Sequence, residues 1–263
     1  MTDKTTLGDR MKGYEATGQQ TLLRRTPVII RLDGRAFHTY VRRFTPEVDP
    51  SLEKSPFSQL LHSFMVMTTR TLFREVQNCV LAYKQSDEIS LLLRDWDHHE
   101  TQQWFGGNVS KIVSITSAIA SASFNWYVTR YAPAGLEPTW FKELALFDSR
   151  VFNLPKEEVC NYFIWRQQDW TRNSVQMLGR FYFSQKQMHG KNNSEIQDML
   201  MLQKGVNWND LETWMKRGVC VYKDPDWNMF SSAPPEYYDN EIPIFTQDRN
   251  YIERHLQSEE KQQ

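Results

Sequence analysis

Twice in this chain an apolar strand-like run is carried directly into a carboxylate. Pro27-Val28-Ile29-Ile30-Arg31-Leu32 delivers Asp33, and Gly34 turns the chain away at once. Further on, Cys79-Val80-Leu81-Ala82-Tyr83-Lys84 enters Gln85-Ser86-Asp87-Glu88, and Ile89 to Leu93 leaves it. The second stretch has the pattern of a hairpin with carboxylates at its tip. Between the two, Pro56 to Asn78 places Leu60, Leu61, Phe64, Met65, Met67, Leu72, Phe73 and Val76 at helical spacing, a core-facing stripe. Either stretch alone also reads as an ordinary strand with a surface turn. Together, two strand-end aspartates separated by a helix point to a two-metal site, in which cations roughly 3.5–4 Å apart clamp a phosphoryl transfer.

The rest of the chain extends this order. The apolar hairpin of Cys79 to Arg94 implies burial on both faces. A long helix is expected from about Gly107 to Tyr131, and a short strand over Phe147 to Asn153. Strand, helix, strand, strand, helix, strand is the ferredoxin-like split pattern, an α+β fold on an antiparallel sheet that also forms the palm of many nucleotide polymerases. Fold alone does not license function. The expected organisation is a palm-like catalytic domain over 1–153, a mostly helical C-terminal region over 154–223 packed on the palm, and a tail over 224–263. In the middle region Pro155 starts a helix running to about Gln187, with Glu157 and Glu158 suited to its N-terminus. Shorter helices are expected over Ser194 to Lys204 and Asn209 to Arg217, and a strand over Val219 to Tyr222. The tail is Pro-rich and acidic, and is expected to be loosely ordered.

Composition narrows the function classes. Hydrophobic residues make up 40% and charged residues 24%, ordinary for a globular protein. Cys79, Cys160 and Cys220 lie far apart in apolar stretches, without zinc-ligand spacing, and read as buried free thiols in a reducing compartment. The polar N-terminus is unlike a signal peptide and no apolar run approaches a membrane span, so a cytoplasmic protein is expected. Net charge is −1 but uneven: Asp224 to Gln263 holds nine acids against three Lys or Arg, leaving 28 basic and 23 acidic residues before it. A mildly basic body with an acidic tail is compatible with a selective nucleic-acid site.

Several polar residues have two readings at this level. Lys111 follows Gly106-Gly107 at the start of the long helix, where an ammonium and a helix N-terminus could bind phosphate together, or where a lysine simply faces solvent. Arg166, Asp169, Asn173 and Arg180 fall on one side of a helical wheel. They form either a nucleotide-facing stripe or a solvated surface. The pairs Arg24-Arg25 and Arg42-Arg43 could line a phosphate path or be surface charge.

These motifs, in this order, resemble the family of histidine-tRNA guanylyltransferases and their guanylyltransferase-like relatives, the 3′–5′ nucleotide polymerases. Arg31-Leu32-Asp33-Gly34-Arg35 with Phe37-His38 is similar to the family's first metal motif, and Tyr83-Lys84-Gln85-Ser86-Asp87-Glu88 to its second. Ser110-Lys111 opens the long helix as in the family, and Trp165-Arg166-Gln167 with Asp169 is similar to its next diagnostic helix. The resemblance covers roughly Thr26 to Tyr222. One run departs: where the eukaryotic enzymes carry His-Ile-Asn-Asn-Leu-Tyr-Asn, this chain has Thr171-Arg172-Asn173-Ser174-Val175-Gln176-Met177. That departure aligns it with bacterial and archaeal relatives, which prefer templated addition and repair 5′-truncated tRNAs.

The resemblance implies a nucleotidyltransferase using two Mg²⁺ ions, with ATP or GTP activating a 5′-monophosphate and nucleoside triphosphates as substrates. Asp33 and Asp87 would be catalytic and would bridge the metals, with the Gly34 carbonyl as a further ligand. A side chain at Gly34 would obstruct the approach of backbone to metal. Asp33, Gly34, Arg35, Ala36, Phe37, His38, Ser86, Asp87, Lys111 and Asn173 would contact nucleotide. Arg31, Glu88, Arg166 and Asp169 would support them, and Arg24, Arg25, Arg180, Lys186 and Lys191 are candidates for tRNA phosphates. The implied partners are tRNA and nucleoside triphosphates, in a homotetramer built as a dimer of dimers, with no membrane. Rival readings are a dedicated guanylyltransferase adding a single 5′ G to histidine tRNA, a metal-dependent phosphohydrolase or cyclase on the same palm, and a non-catalytic RNA-binding module.

Overall fold

The computed structural model describes residues 6–134, 143–223 and 236–257. The strand residues expected from sequence form β1 (Val28–Gly34), the hairpin β2 (Cys79–Gln85) and β3 (Glu88–Leu93), and β4 (Phe147–Asn153). They pair antiparallel in the order β4-β1-β3-β2, the expected ferredoxin-like arrangement. Register is fixed by period-2 burial: Val28, Ile30 and Leu32 face one side, and Ile29 the other.

One face of the sheet is covered by α3 (Gln59–Glu75) and α4 (Val109–Tyr131), preceded in the chain by α1 (Leu7–Ala16) and the single-turn α2 (Phe37–Tyr40). Phe64, Met65 and Leu72 of α3 meet Ile112, Phe124 and Val128 of α4 over the strands. Ser58 and Asn108 cap these two helices, each side chain accepting from the backbone N–H three residues on. α5 (Lys156–Tyr182) lies on the other face, where Val159 and Phe163 pack on Ile29, Leu81 and Leu92. Its far half builds a separate core: Trp170, Val175 and Leu178 meet Ile196 and Leu200 of α7 (Asn193–Lys204) and Trp214 of α8 (Thr213–Arg217), with α6 (Gln185–Met188) between.

Two features depart from expectation. β5 (Val219–Lys223) pairs with β2, and β6 (Glu236–Asp239) with β5, so the C-terminal region extends the palm sheet to six strands. Residues 236–257 are also not a loose tail. Ile242, Phe245, Tyr251 of α9 (Asn250–Glu253) and Ile252 are buried against Tyr83 and Phe163. Glu236, itself buried, is bound by Arg70 and Arg74 of α3. Pro and acid content hid a small set of large apolar residues that cover this face of the sheet. The N-terminal part of the expected tail, 224–235, lies outside the described residues. Among the described residues no helix is long and apolar enough to cross a membrane.

Candidate active site

β1 ends in Asp33 and Gly34, and the β2–β3 turn carries Ser86 and Asp87 at the same end of the sheet. The Gly34 N–H donates to the Asp87 carbonyl at 3.2 Å, tying the two motifs together. Ser86 sits at φ 46°, a left-handed conformation that is rare without glycine and typical of strained functional turns. Gly34 is also required by packing: a Cβ there would run into the Phe37 ring, which is wedged beneath the turn against Phe124 and Phe147. Ala36 is left-handed too (φ 54°), and starts the single turn that carries Phe37 and His38.

Asp33 and Asp87 line two cavities. The first, about 600 Å³, is walled by Val41, Phe44, Leu52, Phe57, Leu61, Trp170, Met177 and Trp214, with Gly34, Ala36, His38 and Ser86 along its polar edge. Buried Asp49 fixes the loop that supplies part of this wall. Its carboxylate accepts from the Ser51 and Ser58 hydroxyls at 2.6 and 2.5 Å and from the Leu60 N–H at 3.2 Å. Burial pushes its carboxyl up, but those hydrogen bonds outweigh burial and leave it below the usual range. The second cavity, about 450 Å³, is polar. Arg31, Gln85, Glu88, Arg166, Asp169, Asn173 and Arg180 line it beside the two aspartates.

The adjacent acids Asp87 and Glu88 have opposite environments. Arg166 grips Glu88 with both prongs, Nε to Oε1 at 2.7 Å and Nη2 to Oε2 at 2.9 Å, and Arg31 Nε adds a charge contact at 3.3 Å without hydrogen-bond alignment. Arg166 also donates to Asp169, which accepts from Arg172. Glu88 is therefore neutralised within the protein. Among the described residues no arginine grips Asp87, although the Lys84 ammonium is near enough to feel its charge: burial pushes the Asp87 carboxyl up, the Ser86 hydroxyl opposes this, and the charges of Asp33 and Glu88 add to it. A carboxylate gripped by no arginine, beside a second one, suits a hard divalent cation. Among the described residues no three His, Cys, Asp or Glu side chains gather around a metal position. A cation here would draw on two carboxylates, backbone and phosphate oxygens.

The first cavity also holds a group that the sequence reading passed over. Lys84 lies in β2, with its ammonium 3.0 Å from His62 Nδ1, while His62 Nε2 pairs with the Tyr238 hydroxyl at 3.2 Å. That network fits a neutral imidazole with its proton on Nε2. His62 stacks on Trp214 at 4.0 Å between centroids. Burial pulls Lys84 down to about 7 while Asp87 pulls it up, and burial followed by the Lys84 charge holds His62 down to about 2. A lysine within an otherwise apolar strand was the available signal.

The other expected residues divide. Asn173 and Arg180 reach the second cavity, and exposed Arg35 holds its turn through its N–H on the Leu146 carbonyl at 2.8 Å. Lys186 is exposed on α6, and Lys191 pairs with Glu195. Lys111 is not gathered into either cavity. α4 runs antiparallel to β4, with Thr116 at Ser149, Ser121 at Phe147 and Asn125 at Ala145, so it is the C-terminal half that flanks Gly34. Lys111 lies ten residues before Ser121, about 15 Å back along the helix. Arg24 and Arg25 occupy that same far end, bonded to the Thr101 carbonyl and to His99.

With this geometry established, the chain can be set beside known proteins. The family model for tRNA(His) guanylyltransferase matches residues 8–155. An uncharacterised protein of Acanthamoeba polyphaga mimivirus is 28% identical over 82% of this chain and 77% of its own length. A probable tRNA(His) guanylyltransferase of Mus musculus is 27% identical over 77% and 66%. Among solved structures, a bacterial tRNA(His) guanylyltransferase-like protein in complex with ATP superposes with a TM-score of 0.82 at 38% identity, covering 96% of this chain and 99% of that one. Another, in complex with GTP, gives 0.75 at 35% over the same shares. Sheet order, paired aspartates and family match agree, and the chain belongs to the tRNA(His) guanylyltransferase family of nucleotidyltransferases.

Proposed function

We propose that this protein is a template-dependent nucleotidyltransferase that extends tRNA at its 5′ end in the 3′–5′ direction, repairing truncated ends. The observation that carries this reading is that Asp33 and Asp87 form the wall shared by two unlike cavities. Addition to a 5′ end needs two phosphorylated partners at one centre: an activated 5′ end and a nucleotide whose 3′-hydroxyl attacks it. The apolar cavity suits a base and ribose, and the polar one suits an RNA end.

Two Mg²⁺ ions fit the donor set of Asp33, Asp87 and the Gly34 carbonyl, and when bound would lower the attacking hydroxyl's pKa and neutralise charge on the leaving phosphates. The protein's own part is to hold and orient. The turn from Gly34 to His38, with Ser86, would cradle a triphosphate, and Asn173 and Arg180 would position the 5′ end. Glu88, locked onto Arg31 and Arg166, would brace the turn that aims Asp87. The ATP and GTP complexes of the two bacterial neighbours support either purine triphosphate as the activator of a 5′-monophosphate. Templated addition is favoured by the run Thr171 to Met177, which departs from the His-Ile-Asn-Asn-Leu-Tyr-Asn run of the eukaryotic enzymes. A homotetramer in a reducing, cytoplasmic setting completes the reading. It accords with the free thiols of Cys79, Cys160 and Cys220, of which Cys79 is only partly buried.

The test is a tRNA lacking its first nucleotide, with the opposing base varied. C opposite the gap should direct G, and A in its place should direct U. Addition of G whatever the opposing base would replace the repair reading with that of a dedicated tRNA(His) guanylyltransferase.

A further inference from the structure

α5 presents a second face that the site above does not use. One residue back from Arg166, Asp169 and Asn173, the positions Trp165, Gln168 and Arg172 form a neighbouring face of the helix, about 100° round its axis. They line a third cavity of about 660 Å³, closed by Trp208 and Asn209, by Lys216 and Arg217 at the end of α8, and by Ile244 and Thr246 of the C-terminal segment. The cavity is built rather than incidental. Gln167, buried at its base, donates to the Pro243 carbonyl and accepts from the Phe245 N–H, both at 2.9 Å. The Trp208 indole donates to Ser174 Oγ at 2.9 Å, and the Thr171 hydroxyl donates to the Lys216 carbonyl at 3.1 Å.

Its chemistry is one-sided. Arg172, Lys216 and Arg217 supply three cations, and none of the lining residues is acidic. Arg172 is partly answered by Asp169, one turn back on the helix. Among the described residues Arg217 is not: its Nε is buried without a partner, and its guanidinium makes one hydrogen bond, Nη2 to Thr213 Oγ1 at 3.4 Å. Burial pulls the Lys216 ammonium down and the neighbouring Arg217 charge pulls it further, with Asp210 and Glu241 acting the other way. Lys216 donates to the Asn209 carbonyl, and neither Lys216 nor Arg217 has an ion-pair partner among the described residues. Beside them stand two indoles, of which Trp165 is 49% exposed although the Arg166 guanidinium lies 4.3 Å from its ring centroid. An exposed indole next to a cluster of cations matches the two halves of a nucleotide: a base to stack and a phosphate to pair.

We infer that this cavity binds an unpaired nucleotide of the RNA substrate, with Lys216 and Arg217 on a phosphate and Trp165 or Trp208 on a base, while the 5′ end occupies the cleft across α5. The inference rests on the reading that the substrate is tRNA. Its occupant is taken to be RNA rather than free nucleotide because the same helix carries both sites and Arg166 joins them, holding Glu88 on one side and covering Trp165 on the other.

The test uses the full chain with Lys216→Gln, and separately Gln168→Glu, which adds a carboxylate at an exposed position with little risk to folding. Each should raise the Kd for tRNA about tenfold and flatten the dependence of log Kd on log salt by nearly one. ATP affinity in the cleft and the rate of addition at saturating tRNA should not change. Wild-type tRNA affinity and salt slope in both variants would overturn the inference. A second equivalent of ATP bound by the wild type and lost in the variants would overturn it in favour of a free-nucleotide site. A shift in oligomeric mass with unchanged RNA affinity would overturn it in favour of an interface between copies. Tighter tRNA binding by wild type than by the variants, with no nucleotide addition by any of them, would uphold this site and sink the reading of the cleft instead.

Discussion

The two cavities flanking Asp33 and Asp87 share those carboxylates, Ser86, Trp170 and Met177, and differ in the rest of their walls. The first is mostly apolar and has one buried cation, Lys84, held by a neutral histidine. The second is lined by charges that satisfy one another, Arg31, Glu88, Arg166 and Asp169 in one connected set. The contrast shows how a single sheet edge can serve two partners. Flat apolar walls reward burial of a base, at about 25 cal/mol per Å² of apolar surface. A neutralised ion network gives a rigid polar wall without competing for the phosphates. Asp87, gripped by no arginine and set between them, is the group both sides are arranged around.

The largest effect should come from the shared wall. Asp33→Ala or Asp87→Ala should remove several kcal/mol of transition-state stabilisation, on the order of a thousandfold in rate or more, for every substrate. Thermal stability should be kept, because Asp87 is raised by burial and like charges in the free protein. Addition assays alongside melting curves test this; normal turnover by either variant with Mg²⁺ would break the assignment.

Next is the second cavity. Arg166→Met leaves Glu88 buried with little compensation and should cost about 3–5 kcal/mol of stability in denaturant titrations. Adding Glu88→Gln should recover much of the loss, since the pair is coupled. If Arg166→Met alone were neutral, the charged wall would be ordinary surface after all.

The first cavity should show itself in acid. His62 is held down to about 2 in the folded chain, against about 6.5 unfolded. Between those values the unfolded state binds the extra proton, so stability is present above pH 6.5 and is lost as pH falls. By pH 5 the loss should be about 2 kcal/mol relative to pH 7, and His62→Gln should reduce it. Equal acid dependence in wild type and variant would show that another group, such as His255, held down to about 3, sets the limb.

The smallest expected effect is none. Lys111→Ala should leave triphosphate binding unchanged, because Lys111 lies well back along α4 from the cleft. A loss of affinity at limiting nucleotide would mean that a second copy of the chain donates this lysine, and would sharpen the case for an oligomer.

Much of this was readable in the residues. β4 runs Phe147–Asn153 as expected, the hairpin turns at Ser86-Asp87, α3 lies within the span that its apolar spacing marked, and α4 fills nearly all of the long helix expected over Gly107 to Tyr131. Local signals sufficed there because each element's period is set by its own backbone geometry. Misreadings arose where the deciding partner lies far off in sequence. The solvated-surface alternative for Arg166 failed because Glu88, 78 residues away, buries it. The tail looked loose because its few large apolar residues gain a core only when Tyr83 and Phe163 are in place.

By itself, then, the sequence determined the palm's strand order, the two aspartates at its edge and the family they belong to. Periodicity, turn chemistry and motif order are local properties of a chain, and they survive without knowledge of packing. Only the tertiary structure decided which end of α4 meets the cleft, that Glu88 is gripped by arginine while Asp87 is not, that Lys84 and His62 share the first cavity, and that α5 carries a cationic aromatic face beside the site. Each of these depends on helix direction and on desolvation by residues distant in sequence, and those are fixed when elements pack, not when they form.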